Sequence, residues 1–380
     1  MLLYVWRYVP NPYPTIYFDN PPYYTADRVI DDACSVVWCE RQNEPGEFVL
    51  LLRATPELLN YFSDGNFLIT RKETKRAMLV EGIELTTDTE TGDYLRLTGR
   101  SAESILNQRI IWQTETKSGN ADDVIYYFVK ENASDYWYYH TDSNHAAADP
   151  ARFRYINLLR IAEHESIGAE TAVQQYGQNL GAFTSNVCKA FGLGYKIEFN
   201  DGYFDFSCYQ GTDRSLNQSD VPAVVFSAEF ENLGNTVYSR NRQTYYNRII
   251  VAGEGEGKDR QEAVHSRAIV KNCGMLMREK FVDKHSVSSN SDGASSGTSY
   301  YKLLNEIAVA EADASVEQVN FSGEVIPGGQ FQYRRDYFLG DTVSVRNPYG
   351  ITGTAVVTAV DEAEDETGYK LVPTLSDWKG

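Results

Sequence analysis

Residues 35–53 of the chain read SVVWCERQNEPGEFVLLLR. Alternate positions from Phe48 to Leu52 are apolar, which is the period of a strand with one buried face. An apolar run at residues 36–38 precedes them, and the segment between contains Pro45 followed by Gly46. Proline and then glycine at the two central positions favour a type II turn. Residues 34–54 are therefore predicted to form an antiparallel hairpin.

The same alternation recurs along the chain. Leu79, Ile83 and Leu85 lie on one face of a strand predicted over residues 76–87, and Leu95 and Leu97 on one face of another over residues 94–98. A polar turn at residues 88–93 lies between them. Residues 195–199 and 203–209 flank the tripeptide Asn200-Asp201-Gly202, which is a strong hairpin signal. Strands of this kind predict antiparallel sheets with one face in water.

Helices are predicted between the strands. Ser101 is an acceptable N-cap for a short helix, and Asn120 precedes a helix whose first turn carries Asp122 and Asp123. Apolar residues at helical spacing predict a long helix over residues 171–191 and another near residues 300–312.

The predicted fold class is mainly β with α+β insertions, and a chain of 380 residues allows more than one packed unit. Residues 1–28, rich in Tyr, Pro and Asn, are expected to be an extended arm. Residues 29–132 are expected to form a first β-barrel or sandwich domain with helices, and residues 133–222 a mixed α/β domain. Residues 223–380 are expected to form a second β-barrel domain, with a flexible Ser/Gly loop at 286–299.

Composition excludes several functional classes. The net charge is −18, which disfavours nucleic-acid binding because phosphate neutralisation needs clustered Lys and Arg. The five cysteines have irregular spacings, which argues against a disulfide framework or zinc site and favours folding in a reducing cytoplasm. The sequence has neither a signal-peptide pattern nor an apolar run long enough to cross a membrane.

No catalytic, cofactor-binding or metal site is predicted. The glycine-rich run at residues 253–259 lacks the Ser or Thr of a phosphate loop and contains two glutamates. His164-Glu165 lacks the second histidine of a zinc helix. Cys188 and Cys208 are expected to be buried rather than nucleophilic.

An ordered series of short motifs resembles siphophage tail-tip hub proteins, the class whose larger members form the N-terminal part of tail-associated lysins. The resemblance spans roughly residues 30–375, with the motifs in the same order along the chain. They are WCER at 38–41, PGEF at 45–48, GNFL at 65–68, VEGI at 80–83, LTGRS at 97–101, ESIL at 103–106, RIIW at 109–112, VFS at 225–227, NL at 232–233, VAGEG at 251–255, REKFVD at 278–283 and YFLGDTV at 337–343.

The resemblance implies two tail-tube-like β-barrels per chain and a homotrimeric ring that closes the tail tube. Such a ring adapts a six-fold tube to a three-fold tip and forms part of the DNA exit channel. The implied partners are the distal tail or tail-tube ring protein, the tape-measure protein, and central fibre, spike or receptor-binding subunits, with DNA passing without specific binding. The implied location is the virion tail tip, after assembly in the host cytoplasm.

Two other functions remain open at the level of sequence. With 53 acidic residues, a pair of carboxylates could serve a cell-wall or capsule polysaccharide hydrolase. The Tyr-rich N-terminus could instead belong to a carbohydrate-binding receptor-recognition module. Because the resemblance includes no catalytic signature, the hub is expected not to be an enzyme, with wall degradation or receptor binding assigned to another chain.

Overall fold

The structure, a computed structural model, describes most of the chain. The described residues are 1–10, 22–63, 65–90, 92–134, 156, 158–257, 260–267, 274–285, 297–326, 330–347, 349–350 and 352–379. They divide into two compact units: unit 1 is Met1–Thr236 with Ser322–Gly380, and unit 2 is Val237–Phe321. The predicted boundaries after residues 28, 132 and 222 do not coincide with this division.

Strands are the main element of the structure, which confirms the predicted fold class. Strands β1–β11 are Leu3–Val9, Tyr23–Ile30, Ser35–Arg41, Glu47–Arg53, Phe67–Arg71, Thr74–Thr86, Tyr94–Ser101, Glu115–Asn120, Leu159–Ile161, Glu170–Gln175 and Leu193–Asn200. Strands β12–β22 are Tyr203–Gln210, Asp213–Arg214, Val225–Ser227, Leu233–Asn241, Arg248–Ala252, Glu262–Ser266, Glu279–Asp283, Gln318–Val325, Thr342–Arg346, Thr352–Asp365 and Gly368–Lys379. Helices α1–α4 are Pro56–Ser63, Ala121–Ala133, Leu180–Phe191 and Gly297–Ala314, and short 3-10 helices are Ala102–Gln108, Ala228–Phe230 and Gly274–Leu276.

The first β body consists of strands β1–β7 in unit 1. These strands pair antiparallel in the spatial order β2-β1-β5-β6-β7-β4-β3. Their inward positions form one apolar core, against which part of α1 packs. The members of this core include Val5, Trp38, Phe48, Leu50, Phe62, Ile69, Met78 and Leu97. The alternation in the sequence therefore predicted this part of the fold well.

The predicted N-terminal arm is wrong for the described residues. β1 lies between β2 and β5, and the side chains of Leu3 and Val5 are fully buried. The Pro-rich segment that motivated the prediction, residues 11–21, lies outside the described residues. Leu3 and Val5 alternate with Tyr4 and Trp6, so the burial of one strand face outweighed the composition of the whole stretch.

The β3–β4 hairpin is confirmed, but its turn differs from the prediction. The left-handed residue is Asn43, with φ 61°. Gly46 is needed for another reason: a Cβ there would lie 1.9 Å from the carbonyl oxygen of Cys39. Its N–H donates to Ser101 Oγ at 2.8 Å. Ser101 is therefore engaged with the turn and does not cap the following 3-10 helix with its side chain.

The second β body consists of β13, β14 and β20–β22, also in unit 1. β21 pairs antiparallel with β20 and β22, and β13 and β14 lie parallel to β20. Phe226 and Tyr337 meet edge to face in its core, with ring centroids 5.1 Å apart. β21 continues to Asp365, and β22 begins at Gly368. The predicted second domain, residues 223–380, is interrupted by unit 2.

One strand pair joins the two β bodies. β21 pairs antiparallel with β3 over seven residues, from Ala359 opposite Arg41 to Asp365 opposite Ser35. Because β3 also pairs with β4, hydrogen bonding continues from the first β body into the second. The two bodies are therefore parts of one sheet.

The middle of the chain packs in unit 1 around α2, α3 and the β11–β12 hairpin. That hairpin is confirmed, and its turn has φ of 50° at Asp201 and 84° at Gly202. The predicted helix over 171–191 is wrong in its first half, where β10 pairs with β8. Helix α3 begins only after Asn179, whose side chain accepts from Ala182 N. The described residues of 133–222 pack against Leu68 and Ala77 of the first β body and belong to the same unit, rather than forming a separate domain.

Unit 2 is a small α/β layer. β16 lies between β17 and β18, and α4 covers one face of this sheet through Tyr300, Leu304 and Ala308. The helix predicted near residues 300–312 is confirmed within α4. Most of the predicted Ser/Gly loop, residues 286–296, lies outside the described residues, and residues 297–299 begin α4.

Candidate functional site: a buried charged junction between the two β bodies

A cluster of charged side chains lies where β3 meets β21. In the register of this pair, Glu40 is opposite Val360 and Glu362 is opposite Trp38. Side chains of directly opposed residues share a face, and residues two apart on a strand share it too. Glu40, Glu362 and Trp38 therefore project from the same face of the junction.

Arg334 bridges the two glutamates. Its Nη2 atom lies 2.7 Å from Glu40 Oε1 and 2.5 Å from Glu362 Oε1. Arg71, at the end of β5, donates to the same oxygen, Glu362 Oε1. A residue of the C-terminal region and a residue of the first β body thus hold one carboxylate of β21 between them.

Arg76 on β6 connects the cluster to Glu103 and, through it, to β11. Its Nη1 atom donates to Glu103 Oε1 at 2.6 Å, and its Nε atom lies 3.6 Å from Glu40 Oε2. Glu103 Oε1 also accepts from Ile197 N on β11 at 3.2 Å. We refer to Glu40, Arg71, Arg76, Glu103, Arg334 and Glu362 as the charged junction.

Aromatic groups complete the coordination of the carboxylates. Tyr333 donates its hydroxyl to Glu40 at 2.8 Å, and Tyr369 donates to Glu362 at 2.7 Å. Trp38 donates its indole N–H to Glu40 at 3.2 Å, and the Arg71 guanidinium lies 4.7 Å from the Trp38 ring centroid. Each glutamate of the β3–β21 pair is thus held by arginine and by a neutral donor.

The junction is buried but balanced in charge. Glu40 is only 2% exposed. Its burial acts to raise the pKa, but Arg334, Arg76 and Arg71 outweigh that effect and lower the pKa of Glu40 to about 2. Burial also opposes ionisation of Glu362, and Arg71 and Arg334 again lower its pKa. Because three arginines face three glutamates, the desolvated charges compensate one another.

This arrangement suits a structural role. A general acid must be protonated near neutral pH, and the lowered pKa values of Glu40 and Glu362 keep both ionised. Their oxygens are occupied by arginine and tyrosine donors. The charged junction therefore clamps the C-terminal strands to the first β body.

The structure also locates the residues considered in the search for catalytic motifs. Cys188 is buried as predicted and Cys208 is partly buried. The adjoining Cys188 thiol and burial raise the pKa of Cys208, which does not favour a thiolate. Gly253 begins the segment that connects β16 to β17, and Lys258 and Asp259 lie outside the described residues. Among the described helices, none is both long and apolar enough to cross a membrane.

Sequence reasoning did not identify the charged junction. Glu40 and Glu103 occur within the motifs at 38–41 and 103–106, yet nothing in the sequence relates them to Arg334. One available signal was the alternation of strand faces, because Glu40 lies on the same face of β3 as the apolar Val36 and Trp38. A charged residue at an inward position needs a partner, although its identity could not be read from the sequence.

Two solved structures share the fold over nearly the whole chain. A tail protein from Neisseria meningitidis MC58 has a TM-score of 0.55 at 13% identity, covering 92% of this chain and 94% of that one. The 43 kDa tail protein of prophage MuSo2 from Shewanella oneidensis has a TM-score of 0.53 at 8% identity, covering 99% and 98%. At such identities the likeness establishes the fold alone.

The sequence itself matches a protein family over residues 15–375. No curated protein matches the chain. The family match and the shared fold together confirm the resemblance to phage tail proteins. The chain belongs to the siphovirus ReqiPepy6 Gp37-like protein family.

Proposed function

We propose that this protein is the hub of the tail tip, where three copies form a ring that closes the tail tube. The observation that carries the proposal is the β3–β21 pair, which joins two β bodies of one chain into a continuous sheet. Three such chains offer six β bodies to a six-fold tube ring and three-fold symmetry to a fibre or spike. Closed rings of identical subunits are the usual form of such assemblies.

The charged junction supports this role because a hub must keep its two β bodies in a fixed relation under load. Ion pairs that are buried and mutually compensated define one geometry, and breaking them leaves unpaired buried charge. A chain that used the two bodies as independent modules would not need such a clamp. The junction thus favours a rigid adaptor over a flexible linker protein.

The overall charge supports a place along the DNA path. A net charge of −18 repels the DNA backbone, so that DNA can pass a channel wall without binding to it. In this proposal the ring contacts the distal tail or tube ring protein and the tape-measure protein on one side. Fibre, spike or receptor-binding subunits contact the other side. Assembly takes place in the host cytoplasm, and the protein itself catalyses no reaction.

The test is the mass of the purified full-length chain in solution, measured by native mass spectrometry alone and after mixing with the tail-tube ring protein. We expect a trimer in at least the mixed sample, and negative-stain images of a ring with six peripheral lobes. A chain that stays monomeric in both samples contradicts the hub assignment.

The same preparation separates the two other functions considered from the sequence. Loss of turbidity of host cell walls, abolished by a single Asp or Glu substitution, would identify a hydrolase. Saturable binding to intact host cells that is competed by wall polysaccharide would identify a receptor-binding module. A hub is expected to give neither signal on its own.

A further inference from the structure

Three potential metal ligands converge at the start of helix α2. One carboxylate oxygen of Asp122, one of Asp123 and one ring nitrogen of His164 all lie within 4.8 Å of one another. The sheet explains this proximity: β8 leads directly into α2, and β10 pairs with β8. The segment that enters β10, residues 162–169, is thereby brought to the N-terminus of the helix.

Asp122 carries an unusual feature, which is a buried oxygen without a hydrogen bond. The residue is 0% exposed. Its Oδ1 atom accepts from Ile167 N at 2.8 Å and from Asp123 N at 2.9 Å. Its Oδ2 atom has no hydrogen-bond partner within the described part of the chain. A buried carboxylate oxygen in this state is costly unless a cation or another donor compensates it.

His164 is already positioned as a ligand. Its Nε2 atom lies at hydrogen-bond distance, 3.0 Å, from Asp123 Oδ1. Two ligand atoms bound at about 2.1 Å to one tetrahedral metal are about 3.4 Å apart, so a small separation of the two groups would admit the cation. The imidazole stacks on the Tyr126 ring at 3.8 Å with planes 21° apart. Tyr126 is itself fixed, because its hydroxyl accepts from Cys208 N at 2.9 Å. The imidazole is therefore held in place before any metal binds.

We propose that Asp122, Asp123 and His164 bind one divalent transition-metal cation, with zinc as the best match. Imidazole combined with carboxylates suits zinc and its neighbours, whereas calcium and magnesium prefer sites made only of oxygen ligands. Three protein ligands leave a fourth position for water. The cation would cross-link residues 162–169 to α2 and so brace the packed middle of unit 1.

The test compares zinc binding by the chelator-treated full-length chain and its variants, using isothermal titration calorimetry. Wild type should bind one zinc ion. His164→Gln and Asp123→Asn should each weaken binding at least tenfold, since even changes next to the ligands cost about 10–100-fold. The matched control is His285→Gln: His285 also lies beside an aspartate, with Nδ1 3.2 Å from Asp283 Oδ1, but this pair belongs to no group of three ligands in the described residues. The zinc affinity of His285→Gln should equal that of wild type.

The proposal fails if wild type binds no zinc, or if His164→Gln binds as tightly as wild type. Circular dichroism would verify that each variant is folded. X-ray absorption of zinc-loaded wild type provides a second measurement that needs no variant. We expect a shell of nitrogen and oxygen at about 2.0–2.2 Å, and a shell containing sulfur would assign the metal to cysteines instead and overturn the proposal.

Discussion

Glu40 in unit 1 and Glu317 in unit 2 are held in similar ways but in different surroundings. Glu317 pairs with Arg240 and Arg242, much as Glu40 pairs with Arg334 and Arg76. The pKa of each glutamate is lowered to about 2. However, the Glu317 side chain is 21% exposed and its arginines extend into solvent, whereas the Glu40 cluster is buried.

The comparison shows that a lowered pKa does not by itself measure a contribution to stability. At the surface, water and salt replace a lost partner at little cost, and most such pairs contribute about 0–1 kcal/mol. In the interior, a charge that loses its partner stays desolvated, which costs about 3–5 kcal/mol. The buried cluster should therefore determine the stability of unit 1, and the exposed cluster should have little effect on unit 2.

The largest effect is expected for Arg334→Met. This change removes the bridge between Glu40 and Glu362 but keeps most of the apolar stem, so the free energy of unfolding should fall by about 3–5 kcal/mol. Urea denaturation followed by tryptophan fluorescence measures it. The adjoining Arg335→Met is the matched control, because the Arg335 side chain is 61% exposed and pairs only with Asp336 among the described acids. Arg335→Met should cost much less stability than Arg334→Met, because an exposed ion pair contributes little. Equal losses for the two variants would refute the distinction between buried and exposed pairs.

An intermediate effect is expected from acid. The pKa of Glu40 falls from 4.5 to about 2 on folding, so its stabilising contribution is complete above pH 4.5 and is lost as the pH falls towards 2. Each unit of the difference corresponds to about 1.4 kcal/mol. Glu40→Gln should therefore be less stable than wild type at pH 7, and the gap should narrow between pH 4.5 and 2.5. Urea denaturation midpoints of wild type and Glu40→Gln at pH 7, 4.5 and 2.5 would measure this difference. A difference in stability that stays constant with pH would mean that the pKa of Glu40 is not lowered on folding.

The smallest effect is expected for Glu317→Gln. Because its arginine partners remain solvated, we expect a loss of no more than about 1 kcal/mol at low salt. At 1 M salt the screening length is about 3 Å, so the difference should disappear, while that of Arg334→Met should persist. A Glu317→Gln effect that survives high salt would show that the surface cluster behaves like the buried one.

Local features of the fold could be predicted from the sequence. The hairpin at Asn200-Asp201-Gly202, the β3–β4 hairpin and the helix after Asn120 each depend on neighbouring residues whose backbone preferences act over a few positions. The prediction failed over residues 171–179 because Val173 and Tyr176 fit a helical spacing by coincidence. Gly177, with φ 72°, and Asn179, which caps α3, instead separate a strand from a helix.

The pairing of distant segments could not be predicted, and the candidate site depends on it. Glu40 and Arg334 are 294 residues apart in sequence, and Arg334 lies in an irregular segment without periodicity. Unit 2 was also missed as a separate unit, because the strand patterns on either side of it look alike. Long-range contacts of this kind follow from packing, which no short window of sequence encodes.

The β3–β21 pair also has a consequence for biosynthesis. β3 leaves the ribosome early, but the strand that covers its edge, β21, is synthesised only near the end of the described chain. Loop closure over such a separation is slow, and until it occurs an apolar strand edge is open to other nascent chains. Until β21 is complete the edge of β3 stays uncovered, so products truncated before β21 would aggregate or be degraded.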